Sequence, residues 1–142
     1  MSSPTEPAKD WNRKTIEEFR ANGGKVGGNF AGTPLLLLHT VGARSGGERV
    51  NPVMYQDLGY GRVAVFATKA GAPNHPDWYH NLVATRYVTA EIGTETRRFR
   101  ARTVTGGERD PIWSKQKRDY PGFADYEANT DREIPVVILD PA

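Results

Sequence analysis

Residues 40 to 54, Thr-Val-Gly-Ala-Arg-Ser-Gly-Gly-Glu-Arg-Val-Asn-Pro-Val-Met, concentrate groups suited to gripping an anion. Arg44, Ser45 and Arg49 stand in a glycine-rich loop with one carboxylate, Glu48. Glycines at 42, 46 and 47 let the backbone take positive φ and approach a partner closely. Backbone N–H groups, a hydroxyl and two guanidinium forks then suit a phosphate or a carboxylate. The competing reading is an ordinary hairpin turn with solvated arginines. The loop is not a nucleotide-binding phosphate loop, because the glycine–lysine pattern is absent and a strand follows instead of a helix.

A second chemical stretch runs from Ala67 to Trp78. Here a strand ends in Thr68 and Lys69, then passes through Ala70-Gly71-Ala72-Pro73 towards a helix start. Thr68, Lys69 and the loop amides could hold an anionic or carbonyl-bearing ligand, and Trp78 could stack on a flat ring. The plainer role for Trp78 is core packing. A third stretch places Tyr120, Phe123 and Tyr126 at spacings of three, one face of a helical turn. A phenol there could donate a proton or bind a carbonyl; three rings capping a barrel is the equal alternative.

Other residues carry less. His39 lies in an apolar strand, and His75 and His80 are five apart, off the spacing of a helical metal pair, so no metal site is expected. Arg97, Arg98, Arg100 and Arg102 alternate about Phe99 and Ala101 as a solvated sheet face does, without the aromatic interleaving of RNA binders. The net charge of +2 likewise favours local anion pockets over a nucleic-acid face.

The elements that must position these groups follow from periodicity. The 142 residues suit one domain with a real core. With no cysteine there is no disulfide, thiolate nucleophile or cysteine-ligated metal, which suits a reducing cytoplasm. No apolar run is long enough to span a membrane. Residues 1–10 are expected to be disordered and 11–142 to form the single domain. A helix is expected over Trp11–Asn22, stopped by Gly23-Gly24, followed by a glycine-rich loop over 23–32 as a candidate lid. Strands are expected at 34–41, 49–57, 62–68, 87–92, 97–104 and 134–139, with tight turns at Leu58–Gly61 and Ile92–Glu95. Helices are inserted at Pro76–Ala84 and from Asp110-Pro111 to Tyr120. Short connections force antiparallel neighbours. The expected fold is mainly β (α+β): a small, partly open barrel of about six antiparallel strands with an N-terminal helix and inserted helices.

Taken together the stretches resemble the deazaflavin-dependent nitroreductase and quinone reductase family, which uses coenzyme F-420. The quoted pieces are Gly-Gly-Asn-Phe (27–30), Gly-Ala-Arg-Ser-Gly-Gly-Glu-Arg-Val-Asn-Pro (42–52) and Ala-Thr-Lys-Ala-Gly-Ala (67–72). Pro-Asp-Trp-Tyr-His-Asn-Leu (76–82) and Thr-Asp-Arg-Glu-Ile-Pro (130–135) complete the set, and the resemblance covers Gly27 to Leu139. It implies a split β-barrel related to flavin mononucleotide (FMN) barrels. It also implies that Arg44, Ser45, Arg49 and Lys69 grip the phosphodiester and polyglutamate tail of F-420. Asn51, Pro52, Val53, Met54, Ala67, Thr68, Ala70, Gly71 and Trp78 would complete the cofactor site along the ring. Phe30, Tyr120, Phe123 and Tyr126 would wall the acceptor, with Tyr120 or Tyr126 supplying a proton. Three positions depart from the family pattern: Phe123 where tyrosine is frequent, Met54 where an aromatic is, and Thr68 where serine is.

The resemblance implies a cytoplasmic reductase passing a hydride from reduced F-420 to a quinone, nitro compound or similar small-molecule acceptor, with no nucleic acid, no membrane span and a homodimer as a compatible assembly. The rival readings are an FMN-dependent barrel reductase and a non-catalytic F-420 carrier.

Overall fold

The structure, a computed structural model, describes the backbone of residues 6–28 and 31–142 and the side chains of 12–28 and 31–142. Asn29 and Phe30 of the expected lid, and residues 1–5 of the expected disordered start, lie outside the described residues. Six strands, β1 (Leu35–Val41), β2 (Glu48–Gly59), β3 (Arg62–Phe66), β4 (Tyr87–Ile92), β5 (Glu95–Val104) and β6 (Val136–Pro141), form a barrel in the order β1-β2-β3-β6-β5-β4. All pairings are antiparallel, and β4 returns to β1, so the barrel is closed, not partly open. Among the described residues four α-helices decorate it: α1 (Glu6–Ala21), α2 (Asp77–Ala84), α3 (Gly106–Asp119) and α4 (Gly122–Ala128).

The run Leu35–Leu38 shows why β1 reads as continuous apolar sequence. Successive strand side chains point to opposite faces. Leu36 and Leu38 enter the barrel interior with Val63, Val65, Phe99 and Leu139, and α2 closes that core with Trp78 and Leu82. Leu35 and Leu37 point outward and are covered by Phe19 of α1. On the far side, Ala64, Phe66, Val136 and Ile138 point outward beneath Trp113 of α3 and Phe123 of α4. Both faces of β1, β3 and β6 are therefore buried, and alternation gives way to unbroken hydrophobic runs.

Two helix boundaries differ from expectation. Helix α1 starts at Glu6, so residues 6–10 are helical and not part of a disordered start. Helix α3 starts at Gly106, ahead of the Asp110-Pro111 pair, and carries Pro111 inside it. Proline there forfeits one bond, to the carbonyl of exposed Gly107, which water can satisfy. Helix α1 ends as a Schellman turn: Gly23 has φ +64°, and Gly24 N–H donates to Phe19 O at 2.8 Å.

One ionic cluster fastens α1 to the barrel. Arg20 donates to both oxygens of Glu91 on β4, at 3.0 and 2.7 Å. His39 on β1 lies between Glu91 (2.6 Å) and Glu48 (2.7 Å). The Arg20 hydrogen bonds, joined by His39, hold the Glu91 carboxyl below its ordinary range, against the opposing effect of burial. A lowered carboxylate pKa contributes stability that is present at neutral pH and lost as the pH falls through the folded-state value. Glu91→Gln should therefore cost about 1 kcal/mol at pH 7. The difference from wild type should narrow at an acid pH low enough to protonate the wild-type carboxylate, below the ordinary carboxylate range. Urea denaturation of both proteins at the two pH values measures this; an equal gap at both would remove the ionic contribution.

Candidate active site

The β2–β3 ladder is incomplete, and the candidate site follows from that. β2 pairs with β1 along Glu48–Met54, whereas its pairing with β3 begins only at Tyr55↔Val65. Had the ladder continued, Val53 would have opposed Ala67 and Pro52 would have opposed Thr68. Instead β3 ends at Phe66, Ala67 N–H turns to Pro135 O at 3.0 Å, and one edge of Asn51–Met54 is left without a strand. Tyr55 N–H donates to Pro34 O on the β1 side. Strand alternation therefore points the nitrogen of Pro52 into the gap. Proline has no N–H, so this open edge exposes no donor at that position.

Two loops border the gap, and both are attached to α2 or the segment leading into it. In the first, Gly42 N–H donates to Gly47 O (2.7 Å) and Gly46 N–H to Gly42 O (2.9 Å). Buried Asn81 of α2 accepts from Ala43 N–H at 3.0 Å and donates to Thr40 Oγ1 at 3.3 Å. Ser45 Oγ accepts from Gly47 N–H (3.2 Å) and from Arg49 Nη2 (3.0 Å). Ser45 thus orients Arg49 as well as offering a hydroxyl. Arg44 is exposed, and neither arginine has a carboxylate within 4.0 Å among the described residues.

The second loop is a single 3-10 turn over Lys69–Gly71. Thr68 is right-handed (φ −77°, ψ −41°), whereas Lys69 and Ala70 have φ +45° and +53°. A right-handed residue followed by a left-handed one aims successive N–H groups at a common point, an anion-binding nest. Thr68 N–H is used by Phe66 O, but the amides of Lys69 and Ala70 have no partner among the described residues. Lys69 Nζ reaches Asn74 Oδ1 at 3.2 Å. Gly71, at φ +80°, lies so close to α4 that an added Cβ would sit 2.8 Å from Tyr126 O.

Helix α4 supplies the aromatic wall. Phe123 is buried and meets Phe66 edge-on at 5.7 Å and Tyr126 at 5.5 Å; Tyr120 and Tyr126 are half-buried beside them. Glu127 holds α4 to α3 by accepting from Trp113 Nε1 (2.5 Å) and Lys117 Nζ (2.9 Å). Of the other expected site residues, Ala67 and Trp78 are fully or almost fully buried in the barrel core, while Asn51, Pro52, Val53 and Met54 are half-exposed along the open edge. Phe30 lies outside the described residues. No group of three or more potential metal ligands occurs among the described residues, and none of the described helices is long and apolar enough to cross a membrane.

Sequence reasoning gave no role to Arg132, quoted only within a motif. Its Nε donates to Ala72 O (2.9 Å), Nη1 to Ala67 O (3.1 Å) and to His75 Nδ1 (2.9 Å), and Nη2 to Thr68 O (2.7 Å). Burial lowers its pKa, and burial with the nearby Arg132 charge lowers that of His75. Arg132 also lines a cleft of about 350 Å³ with His75, Tyr79, Thr103, Arg109 and Glu133, a region containing none of the expected site residues. Asn81 was likewise missed, since a buried asparagine has no local sequence signature.

The chain is similar in sequence and fold to known proteins. The family model described as F-420H(2)-dependent quinone reductase matches residues 11–141. An F-420H(2)-dependent quinone reductase of Mycobacterium tuberculosis is 32% identical over 127 residues, covering 85% of this chain and 83% of that protein. A solved F-420-H2-dependent reductase, FDR-A, is 38% identical with a TM-score of 0.68, over 75% of this chain and 94% of its own. A structure described as a domain-swapped dimer is 34% identical with a TM-score of 0.70, over 97% of this chain and all of the other. By sequence across nearly its whole length, and by barrel architecture, the chain belongs to the F-420H(2)-dependent quinone reductase family.

Proposed function

We propose that this protein is an oxidoreductase that binds reduced coenzyme F-420 and reduces a quinone or a similar conjugated acceptor. The observation that carries the proposal is the set of cations without carboxylate partners, Arg44, Arg49 and Lys69, on two loops bordering an unpaired strand edge. F-420 joins a flat ring to a polyanionic tail, and this arrangement offers a place for each. Bound F-420 in its reduced form supplies a hydride from its central ring; the protein supplies placement and electrostatics.

In this reading Arg44, Arg49 and Lys69 hold the tail, and Ser45 keeps the Arg49 fork turned towards it. Binding energy far from the reacting carbon then fixes the ring's position. Asn51, Pro52, Val53 and Met54 lie along one side of the ring, and the 67–71 backbone, supported by Trp78, along the other. Phe123 and Phe30 shape the acceptor space. Tyr120 or Tyr126 hydrogen-bonds the acceptor oxygen and delivers the proton that accompanies the hydride. The proposal includes a cytoplasmic setting, supported by the absence of cysteine, and a homodimer as one possible assembly.

Fluorescence titration with oxidised F-420 and with FMN tests the reading. F-420 should bind more tightly, with affinity increasing with tail length; preferential FMN binding would overturn it. Tight binding without acceptor-dependent oxidation would identify a carrier. Lys69→Ala and Arg44→Ala should each weaken F-420 binding roughly tenfold at low salt and less at high salt, as expected for screened charge contacts. Unchanged affinity in both would remove these residues from the site. Tyr126→Phe should lower kcat by roughly 100-fold if this phenol delivers the proton, with little change in cofactor affinity. An unaltered kcat would pass that role to Tyr120 or solvent.

A further inference from the structure

We infer that Arg132 is a positioning residue of the cofactor site: it presets the Thr68–Ala70 nest and makes it a receptor for a negatively polarised oxygen, of the carbonyl or enolate class, on the ring's edge. The inference rests on the F-420 reading above and adds to it a residue and a subsite.

The geometry starts from the carbonyls. Arg132 holds the oxygens of Ala67, Thr68 and Ala72, so both ends of the turn are fastened to one guanidinium. Lys69 and Ala70 are non-glycine residues in the left-handed region, a conformation that persists when its surroundings over-determine it. The planar fork of arginine is suited to that task; a lysine ammonium has no equivalent geometry. Gly71 packs against α4 and fixes the turn from the opposite direction.

The electrostatics follow from the same bonds. Thr68 O belongs to the same peptide unit as Lys69 N–H, and it accepts from Arg132 Nη2 and from Gly71 N–H. A carbonyl held by a cation polarises its peptide, making the attached N–H a stronger donor. That N–H and the neighbouring Ala70 N–H are the two without partners among the described residues. No carboxylate lies within 4.0 Å of Arg132 among the described residues, so its charge is not locally cancelled. His75 receives one of its N–H groups through a neutral ring nitrogen.

The nest follows directly on β3, the strand that would otherwise have continued opposite Pro52, a residue that offers no donor. A ring oxygen would therefore find its donors at Lys69 and Ala70 and not at β2. Arg44, Arg49 and the Lys69 side chain serve the tail, whereas Arg132 acts through the backbone on the ring. The two contributions can be separated by experiment.

Arg132→Lys and Arg132→Gln are compared with wild type and with Arg44→Ala for binding of two ligands: whole F-420, and the deazaflavin nucleoside that lacks phosphate and glutamates. Thermal unfolding of each ligand-free protein checks that it is folded. Both Arg132 variants should bind both ligands about tenfold or more weakly, with little salt dependence, while Arg44→Ala should affect only whole F-420. In a third variant, Arg132→Ala, added guanidinium at millimolar concentration should restore part of the lost nucleoside affinity. Wild-type affinity of both Arg132 variants for the nucleoside would overturn the inference, as would a loss confined to whole F-420. Failure of wild type to bind either ligand would instead overturn the F-420 reading itself.

Discussion

The termination of the β2–β3 ladder at Tyr55 and Val65 is the constraint on which the site depends. A barrel closed along its whole length would have paired Pro52 and Val53 with Thr68 and Ala67, leaving no edge for a flat ligand. Here β3 stops at Phe66 and the chain departs towards Pro135, so that one barrel carries a gap without losing closure elsewhere. The proline at the gap suits this arrangement, because any other residue at 52 would present an N–H with no strand partner.

Charge is sorted by the fold. The carboxylates Glu91, Glu48, Glu108, Asp140 and Glu127 are bound to Arg20, His39, Arg102 and Lys117, at places where helices and strands must be joined. Glu127 remains ionised despite the opposing effect of burial, because Lys117 and Trp113 hold it below the ordinary carboxylate range. The cations of the two loops are left without such partners. Exposed ion pairs contribute little to stability, so leaving Arg44, Arg49 and Lys69 unpaired costs the fold little and keeps them free for an anion.

Mechanical support is distributed unevenly around the gap. The first loop is held by Asn81 of α2, and the second by Arg132 from the segment before β6. Helix α4 then closes over the second loop through Gly71. These contacts order backbone that lacks regular hydrogen bonding, and cations and N–H donors are thereby presented on rigid supports.

Much of the fold was legible in the residues themselves. The Leu35–Leu38 run, the alternation of Val88, Ala90 and Ile92, and the turns at Gly59–Gly61 and Gly93 are local signals, and local periodicity suffices to read them. Helix boundaries were less legible: α1 begins at Glu6, and α3 encloses Pro111, whose forfeited bond falls on exposed Gly107. The cationic character of the two loops, carried by Arg44, Arg49 and Lys69, was visible as residue type. What only the tertiary structure decided was which groups meet. Arg132 is 64 residues from Thr68, and Asn81 is 38 from Ala43. No periodicity links such positions; they meet because β6 lies beside β3 and α2 lies against β1. Ser45 was read as a hydroxyl for an anion, yet its oxygen also accepts from Arg49, since loop closure between Gly42 and Gly47 brings the two together. Composition and spacing determined which chemistry was at hand, while strand order determined where it is assembled, because hydrogen bonds between distant segments depend on neighbours that a linear pattern does not encode.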